Sequence, residues 1–324
     1  MTGVQLPAEL WLQIGGHLPT ANLNCLVRTS HAFHSLLLPL LHRDITLTGP
    51  FGGATDQTEH LQTIRDRLER ISAKSELLFA VRSCFLRKLE EPLLEEVITF
   101  LGTLPNLSRL FLDDLTLEAD QLIRLSKSWR SPVKFVSFFV NIKPTDLSQS
   151  ITKETPPKLS SLTVTGVCLS QTSWRFFFQW SFSANLETLI FSQYPEPMFN
   201  ALFEEHIGVL PNSSFPRLKS LHLSTVPDRK IRGRFFGCMP MLENLYIITD
   251  TTFRRPFKVP ETAIPRLRRY EGPVPNIISL VPSALSIICV FTGKMSSPPF
   301  GVCIHRGYST LDQLLRYDTY TFFT

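Results

Sequence analysis

A short apolar frame, apolar-x-x-apolar-x-apolar, recurs through most of this 324-residue chain at a nearly fixed step. It reads Val81/Cys84/Leu86, Leu107/Leu110/Leu112, Val133/Val136/Phe138 and Leu159/Leu162/Val164. It continues as Leu186/Leu189/Phe191, Leu218/Leu221/Leu223 and Leu242/Leu245/Ile247. Successive starts lie 26, 26, 26, 27, 32 and 24 residues apart. A degenerate copy starts at Leu267, another frame at Leu285, and a last start is Leu311. At 43% apolar composition, one such frame arises by chance at roughly 8% of positions, so a single copy carries no weight. The near-constant step carries the inference.

A step of this length with L-x-x-L-x-L is the signature of leucine-rich repeats. Proline stands two residues before the first Leu in Pro105-Asn-Leu107, Pro157-Lys-Leu159, Pro216-Arg-Leu218, Pro240-Met-Leu242 and Pro265-Arg-Leu267. There it stops a preceding helix and sets up a strand. Between frames the spacing turns helical: Leu93, Leu94, Val97, Ile98 and Leu101 share one face after Glu90-Glu91-Pro92. Leu122, Ile123 and Trp129 do so more loosely, as do Leu202, Phe203, Ile207 and Leu210. Each unit is then strand, turn and helix. One unit cannot bury its own apolar face, so neighbours stack. The expected fold is α/β, an irregular solenoid with a curved parallel sheet over residues 76–324.

The residues between the buried apolar positions of each strand face the other way. The central row of that face reads Phe85, Phe111, Ser137, Thr163, Ile190, His222, Tyr246 and Glu271, with Arg109, Phe135, Phe139, Asn244 and Ile248 beside it. Aromatic anchors among small polar residues suit protein recognition. From these, Phe85, Arg109, Phe111, Phe135, Phe139, Ile190, His222, Asn244 and Tyr246 form the candidate substrate-binding concave face. The alternative is that the chain's own helices or loops cover part of it. The dense Trp174, Phe176, Phe177, Phe178 and Trp180 read as the buried side of a repeat.

The first 47 residues follow another pattern. Leu6, Leu10, Ile14 and Leu18 recur every four residues along one helix face, with Pro7 in the first turn and Gly15-Gly16 and Pro19 ending it. Thr20 is a plausible cap for a second helix holding Leu23, Leu26 and Val27. Ser30 caps a third, with Phe33, Leu36, Leu37, Leu40 and Leu41, and Pro39 near its end. Arg43 to Leu47 alternates as a strand. Three such helices are too small to bury a sufficient core alone, so the following domain or a partner covers their apolar set.

The stretch Leu6-Pro7-x-Glu9-Leu10-x-x-x-Ile14-x-x-x-Leu18, then Leu23-x-x-Leu26-Val27-Arg28-Thr29-Ser30-x-x-Phe33, then Leu37-x-Pro39-Leu40-Leu41-x-Arg43-x-Ile45-x-Leu47, resembles an F-box of the kind found in filamentous fungi. Asn22 stands where many members have Asp, a mild change at a helix start. The resemblance implies docking to the Skp-family adaptor of a cullin–RING, SCF-type ubiquitin ligase. Carried over by position, the contacts are Leu6, Pro7, Leu10, Ile14, Leu18 and Leu23, with Leu26, Val27, Phe33, Leu36 and Leu37 as internal packing. Residues 76–293 resemble the leucine-rich-repeat regions of F-box proteins. The family's asparagine, three residues past each frame, is kept only at Asn141; the other sites read Leu89, Leu115, Val167, Tyr194, Val226 and Asp250. The implied organisation is an F-box at 1–47, a loop and linking helix at 48–75 built on Leu61, Ile64, Leu68 and Ile71, and the repeat region at 76–324. The implied role is a substrate-recognition adaptor; the alternative is a scaffold outside ubiquitin transfer.

Composition narrows the remaining classes. The net charge of +5 is modest and its Arg residues are dispersed, so no nucleic-acid partner is expected. No apolar run reaches a membrane span, since Pro282 breaks Ile277 to Phe291. The N-terminus lacks the basic region of a signal peptide, and Cys25, Cys84, Cys168, Cys238, Cys289 and Cys303 form no C-x-x-C pair. They read as free thiols in an intracellular setting, cytoplasmic or nuclear. His31 with His34, and Cys303 with His305, lack the further ligands of a metal site. No phosphate-loop, dinucleotide, nucleophile-elbow or zinc-protease motif occurs. The chain is expected to be no enzyme and to need no cofactor.

Overall fold

A computed structural model of the chain describes residues 6–50, 57–143, 157–166, 169–194, 196–207, 215–224, 228–247, 263–272, 286–290 and 301–305. The protein is α/β, with ten helices and a large parallel sheet among these residues. The chain divides into two compact units, Met1–Lys134 and Phe135–Thr324. No helix among the described residues is long and apolar enough to cross a membrane.

The first unit runs α1 (Ala8–His17), α2 (Thr20–Val27), α3 (His31–Leu41), β1 (Asp44–Thr48), α4 (Gln57–Ser72), α5 (Ser75–Ala80), β2 (Ser83–Arg87), α6 (Leu93–Thr103), β3 (Arg109–Asp113), β4 (Thr116–Glu118) and α7 (Ala119–Ser128). Strands β1, β2 and β3 are parallel neighbours in chain order, with Ile45 opposite Cys84 and Cys84 opposite Leu110. Those three side chains, with Leu47, Leu86 and Leu112, are buried on one face. Helix α6 turns Leu93, Leu94, Val97, Ile98 and Leu101 inward, as its spacing predicts.

Helices α1 to α3 close on a small core of Leu23, Val27 and Leu37, ringed by Leu18, Leu26, Phe33, Leu36, Leu40 and Leu41. The Ser30 hydroxyl accepts the Phe33 N–H at 3.2 Å and starts α3. Pro39 sits inside α3, two residues before it stops. Two expectations change here. The Gly15-Gly16 pair does not end α1, which runs to His17. Gly15 is buried instead, and a Cβ there would lie 2.9 Å from Leu40 Cδ1 and 3.0 Å from Leu37 Cδ2. The glycine therefore lets α1 lie close against α3. Thr20 is the first helical residue of α2, with Pro19 at the cap.

Strand β5 (Val133–Phe138) begins in the first unit and ends in the second. The second unit continues with β6 (Asn141–Lys143), β7 (Leu159–Thr165), α8 (Gln171–Trp180), β8 (Thr188–Ser192), α9 (Glu196–Ile207), β9 (Ser220–Leu223), α10 (Arg229–Gly237), β10 (Asn244–Ile247), β11 (Arg269–Glu271), β12 (Ser286–Val290) and β13 (Gly301–His305). From β7 to β12 the strands are parallel neighbours in chain order; β13 runs antiparallel to β12. Leu162, Leu189, Leu221, Leu245 and Tyr270 lie in register across five strands, and all are buried. The aromatic run Trp174, Phe176, Phe177, Phe178 and Trp180 fills the inner side of α8.

The frame at Val133 is out of register with the others. Strand β5 alternates strictly from its first residue, so Val133, Phe135 and Ser137 point inward and Val136 and Phe138 outward. In β2, β3, β8, β9 and β10 the strand begins two residues after the frame does. Two positions on the expected recognition face are corrected by this. Phe135 is fully buried, with its ring 5.3 Å from Trp180 and 6.0 Å from Phe177, and Ser137 is buried too.

The turns after four strands, β2, β3, β5 and β8, share a backbone signature. Lys88, Asp114, Phe139 and Gln193 each follow the last strand residue and adopt φ of 51°, 51°, 52° and 58°. L-residues rarely enter this region, so the geometry of the turn imposes it on unlike side chains. One residue further on, Leu89, Leu115 and Tyr194 are buried. Apolar packing thus helps hold these turns. Gln193 is exposed. Gln193→Gly relieves the left-handed conformation and raises stability by up to about 1 kcal/mol, because the relief exceeds the added freedom of the unfolded chain. A urea titration checks it; a loss of stability counts against strain at this turn.

Candidate interaction surfaces

Helix α1 presents apolar side chains to solvent. Leu10 is 42% exposed and Ile14 40%, and Leu6 and Leu12 are similarly open. Pro7 is exposed beside them. The helix is fixed from its other side: the Trp11 ring meets Phe33 edge-on at 4.7 Å, and Gly15 seats on α3. The structure brings Leu6, Pro7, Leu10 and Ile14 together on an open surface. It separates Leu18 and Leu23 from them. Leu18 is half-buried against the three-helix core, and Leu23 is 4% exposed within it. Leu23 points inward because α2 must supply an apolar side chain opposite Leu37, so it belongs with the packing residues. Leu12 is exposed as well, but it lies two residues from Leu10 and Ile14 and so on another side of α1.

In the first unit the outward face of β1 to β3 holds Thr46, Phe85 and Phe111 in register. The two rings lie 6.4 Å apart, half-buried. Ion pairs flank them on both sides. Arg109 reaches Asp44 at 3.5 Å, and Arg87 reaches Asp113 at 3.0 Å. These pairs are exposed enough that they add little stability. Their effect is to rim an aromatic centre with polar groups, the layout of a recognition patch.

In the second unit the corresponding row is Thr163, Ile190, His222, Tyr246 and Glu271, all half-buried. The His222 and Tyr246 rings stack at 3.9 Å, and the Arg269 guanidinium lies 5.3 Å from the Tyr246 ring centre. Arg269 also pairs with Glu271 at 3.5 Å. The neighbouring row is Ser161, Thr188, Ser220 and Asn244. On the other side the Thr165 and Ser192 hydroxyls share a hydrogen bond of 2.7 Å. Phe139 is 43% exposed. Val136 and Phe138 take the outward places expected of Phe135 and Ser137; nothing in a strand apolar on both faces could reveal its register. Ile248 lies outside the described residues.

Burial pushes the His222 imidazole below its ordinary range, and Arg269 pushes it further the same way. The folded state therefore holds neutral His222 more tightly than the unfolded chain does. Above the unfolded value near 6.5, both states are neutral and the stability is fully present. As pH falls below it, the unfolded chain takes up the proton first and stability declines, until the folded imidazole protonates too. His42 is shifted in the same direction. His222→Gln should flatten part of the decline in unfolding free energy between pH 7 and acid pH, read from urea titrations. An unchanged slope would show that other groups set it.

Burial pushes the Cys84 thiol up to about 12, so it stays protonated at neutral pH. Among the described residues, no group of three or more His, Cys, Asp or Glu could hold a metal ion. A cavity of about 80 Å³ beside Gly49, Leu61, Leu89 and Leu93 has room for a few waters. Compared with known proteins, the chain matches no family model, and no curated protein matches it.

Proposed function

We propose that the chain is a substrate-recognition subunit of an SCF-type ubiquitin ligase. In this reading residues 1–47 are an F-box that docks a Skp-family adaptor, and through it a cullin. The parallel strand–helix repeats form an irregular leucine-rich-repeat-like solenoid whose outward strand face holds a protein substrate. The observation that supports it most is the open row of Leu6, Leu10 and Ile14 on a helix anchored from behind by Trp11 and Gly15. A single exposed leucine is ordinary; a contiguous apolar row on a rigid helix suits a partner.

The protein contributes proximity and no bond-making of its own. Holding a substrate beside the transfer machinery raises its effective concentration. The Phe85/Phe111 pair and the His222/Tyr246 stack are the anchors for that substrate. No cofactor, nucleic acid or membrane enters the reading, and the setting is the cytoplasm or nucleus. The test is affinity capture of the full chain under proteasome inhibition, compared with a chain lacking residues 1–47. Adaptor and cullin recovered only with the full chain support the proposal. Adaptor without cullin favours a scaffold outside ubiquitin transfer, and neither partner sinks both.

A further inference from the structure

Four arginines of the first unit meet a carboxylate: Arg65 meets Glu96 at 2.8 Å, Arg87 meets Asp113, Arg109 meets Asp44, and Arg124 meets Glu95 at 2.8 Å. One corner instead gathers cations without such a partner among the described residues. Arg67, Arg70 and Lys74 stand at i, i+3 and i+7, on one side of α4 and the turn that follows it. The Arg67 Nη1 donates to the Thr46 carbonyl of β1 at 3.1 Å. That bond turns this side of α4 toward the connection between α3 and β1, where His42 caps α3. Among the described residues, none of the three cations pairs with a carboxylate. Asp44 is engaged with Arg109, and Asp66 accepts from the Gln62 amide at 2.8 Å. Arg70 donates only to the Asp66 carbonyl of its own helix, at 3.1 Å. Inside the corner the His42 Nδ1 is buried and has no hydrogen-bond partner.

We propose that His42, Arg67, Arg70 and Lys74 form a binding site for a tetrahedral oxyanion, namely a phosphate group. The chemistry matches in three respects. Two guanidinium forks and an ammonium supply donors in different directions, as the oxygens of a phosphate require. Arg67 is half-buried and already fixed by Thr46, so the site is partly preorganised. An anion placed there would accept from the imidazole and from cations that have no counter-charge of their own. The cations facing His42 are Arg67, Arg70 and Lys74, and they favour its neutral form. A bound dianion offsets them and favours the protonated imidazole, so binding raises the His42 pKa. The phosphate can be free or an ester on a partner protein. This inference is independent of adaptor docking.

The test is NMR titration of the His42 ring protons in the full chain, assigned with His42→Gln. The probes are inorganic phosphate and phosphoserine, with sodium chloride at equal ionic strength as control. Saturable shifts with a rise in the His42 pKa are expected. Tighter binding of phosphoserine points to an ester on a partner, and tighter binding of inorganic phosphate to the free ion. Arg70 and Lys74 are exposed, so the double variant R70Q/K74Q should fold normally and bind at least tenfold more weakly. Shifts that never saturate, or that chloride reproduces, mean an adventitious ion only and overturn the proposal. So does a double variant with affinity within twofold of the parent.

Discussion

Leu10→Asp should abolish capture of a Skp-family adaptor while leaving the unfolding midpoint of the protein where it was. Leu10 is 42% exposed, so in the free protein a carboxylate there stays in water. Surface changes of this kind stay within about 0.5 kcal/mol. In the docked complex the same carboxylate would be pressed into an apolar contact without a partner. Such a change at a central anchor costs about 2–4 kcal/mol, or roughly 30- to 1000-fold in affinity. Leu23 supplies the control, since it is buried in the same three helices. Leu23→Asp should lose both binding and fold, as seen in the thermal melt. The two variants together separate contact from packing. Binding affinity of Leu10→Asp within threefold of the parent would remove α1 from the docking surface.

Residue type and spacing fix some of these features and leave others open. Local chemistry was readable: Ser30 as a cap, the inner face of α6, the burial of the α8 aromatics and the parallel strands at the repeated frame all follow from residue type and spacing. Register was harder. In β5 the apolar residues Val133, Phe135, Val136 and Phe138 occupy both faces, so the pattern is compatible with either phase. Only packing against Phe177 and Trp180 decides which phase is buried. The helices posed a similar problem. Leu10 and Leu23 look alike as apolar positions, but Gly15 brings α1 close to α3 on one side and leaves Leu10 outside. The proposed oxyanion corner is built from three consecutive elements, α3, β1 and α4. Its separate members read as dispersed charge until the Arg67 bond to Thr46 relates α4 to β1.

Phe203→Ala tests how far stability in the second unit is shared between neighbouring repeats. Phe203 is fully buried on α9, with rings around it from three successive helices. It meets Phe178 of α8 edge-on at 6.2 Å, Phe235 of α10 at 4.8 Å, and Phe199 of its own helix in a stacked arrangement at 6.4 Å. Truncation removes the transfer energy of the ring and leaves a cavity that three helices must collapse to fill. Phe→Ala in such a place costs about 3–5 kcal/mol, a large share of the stability of a domain this size. If the second unit is the stacked array proposed above, each strand–helix unit depends on its neighbours' interfaces. The loss should therefore spread to α8 and α10, and hydrogen exchange should speed up in all three helices and in β8 to β10. His222 and Tyr246 lie on β9 and β10, so the stacked pair on the outward face would loosen with them. An effect confined to α9 would show that the repeats are held separately. The outward strand face would then owe its geometry to each strand's own packing rather than to the neighbouring units.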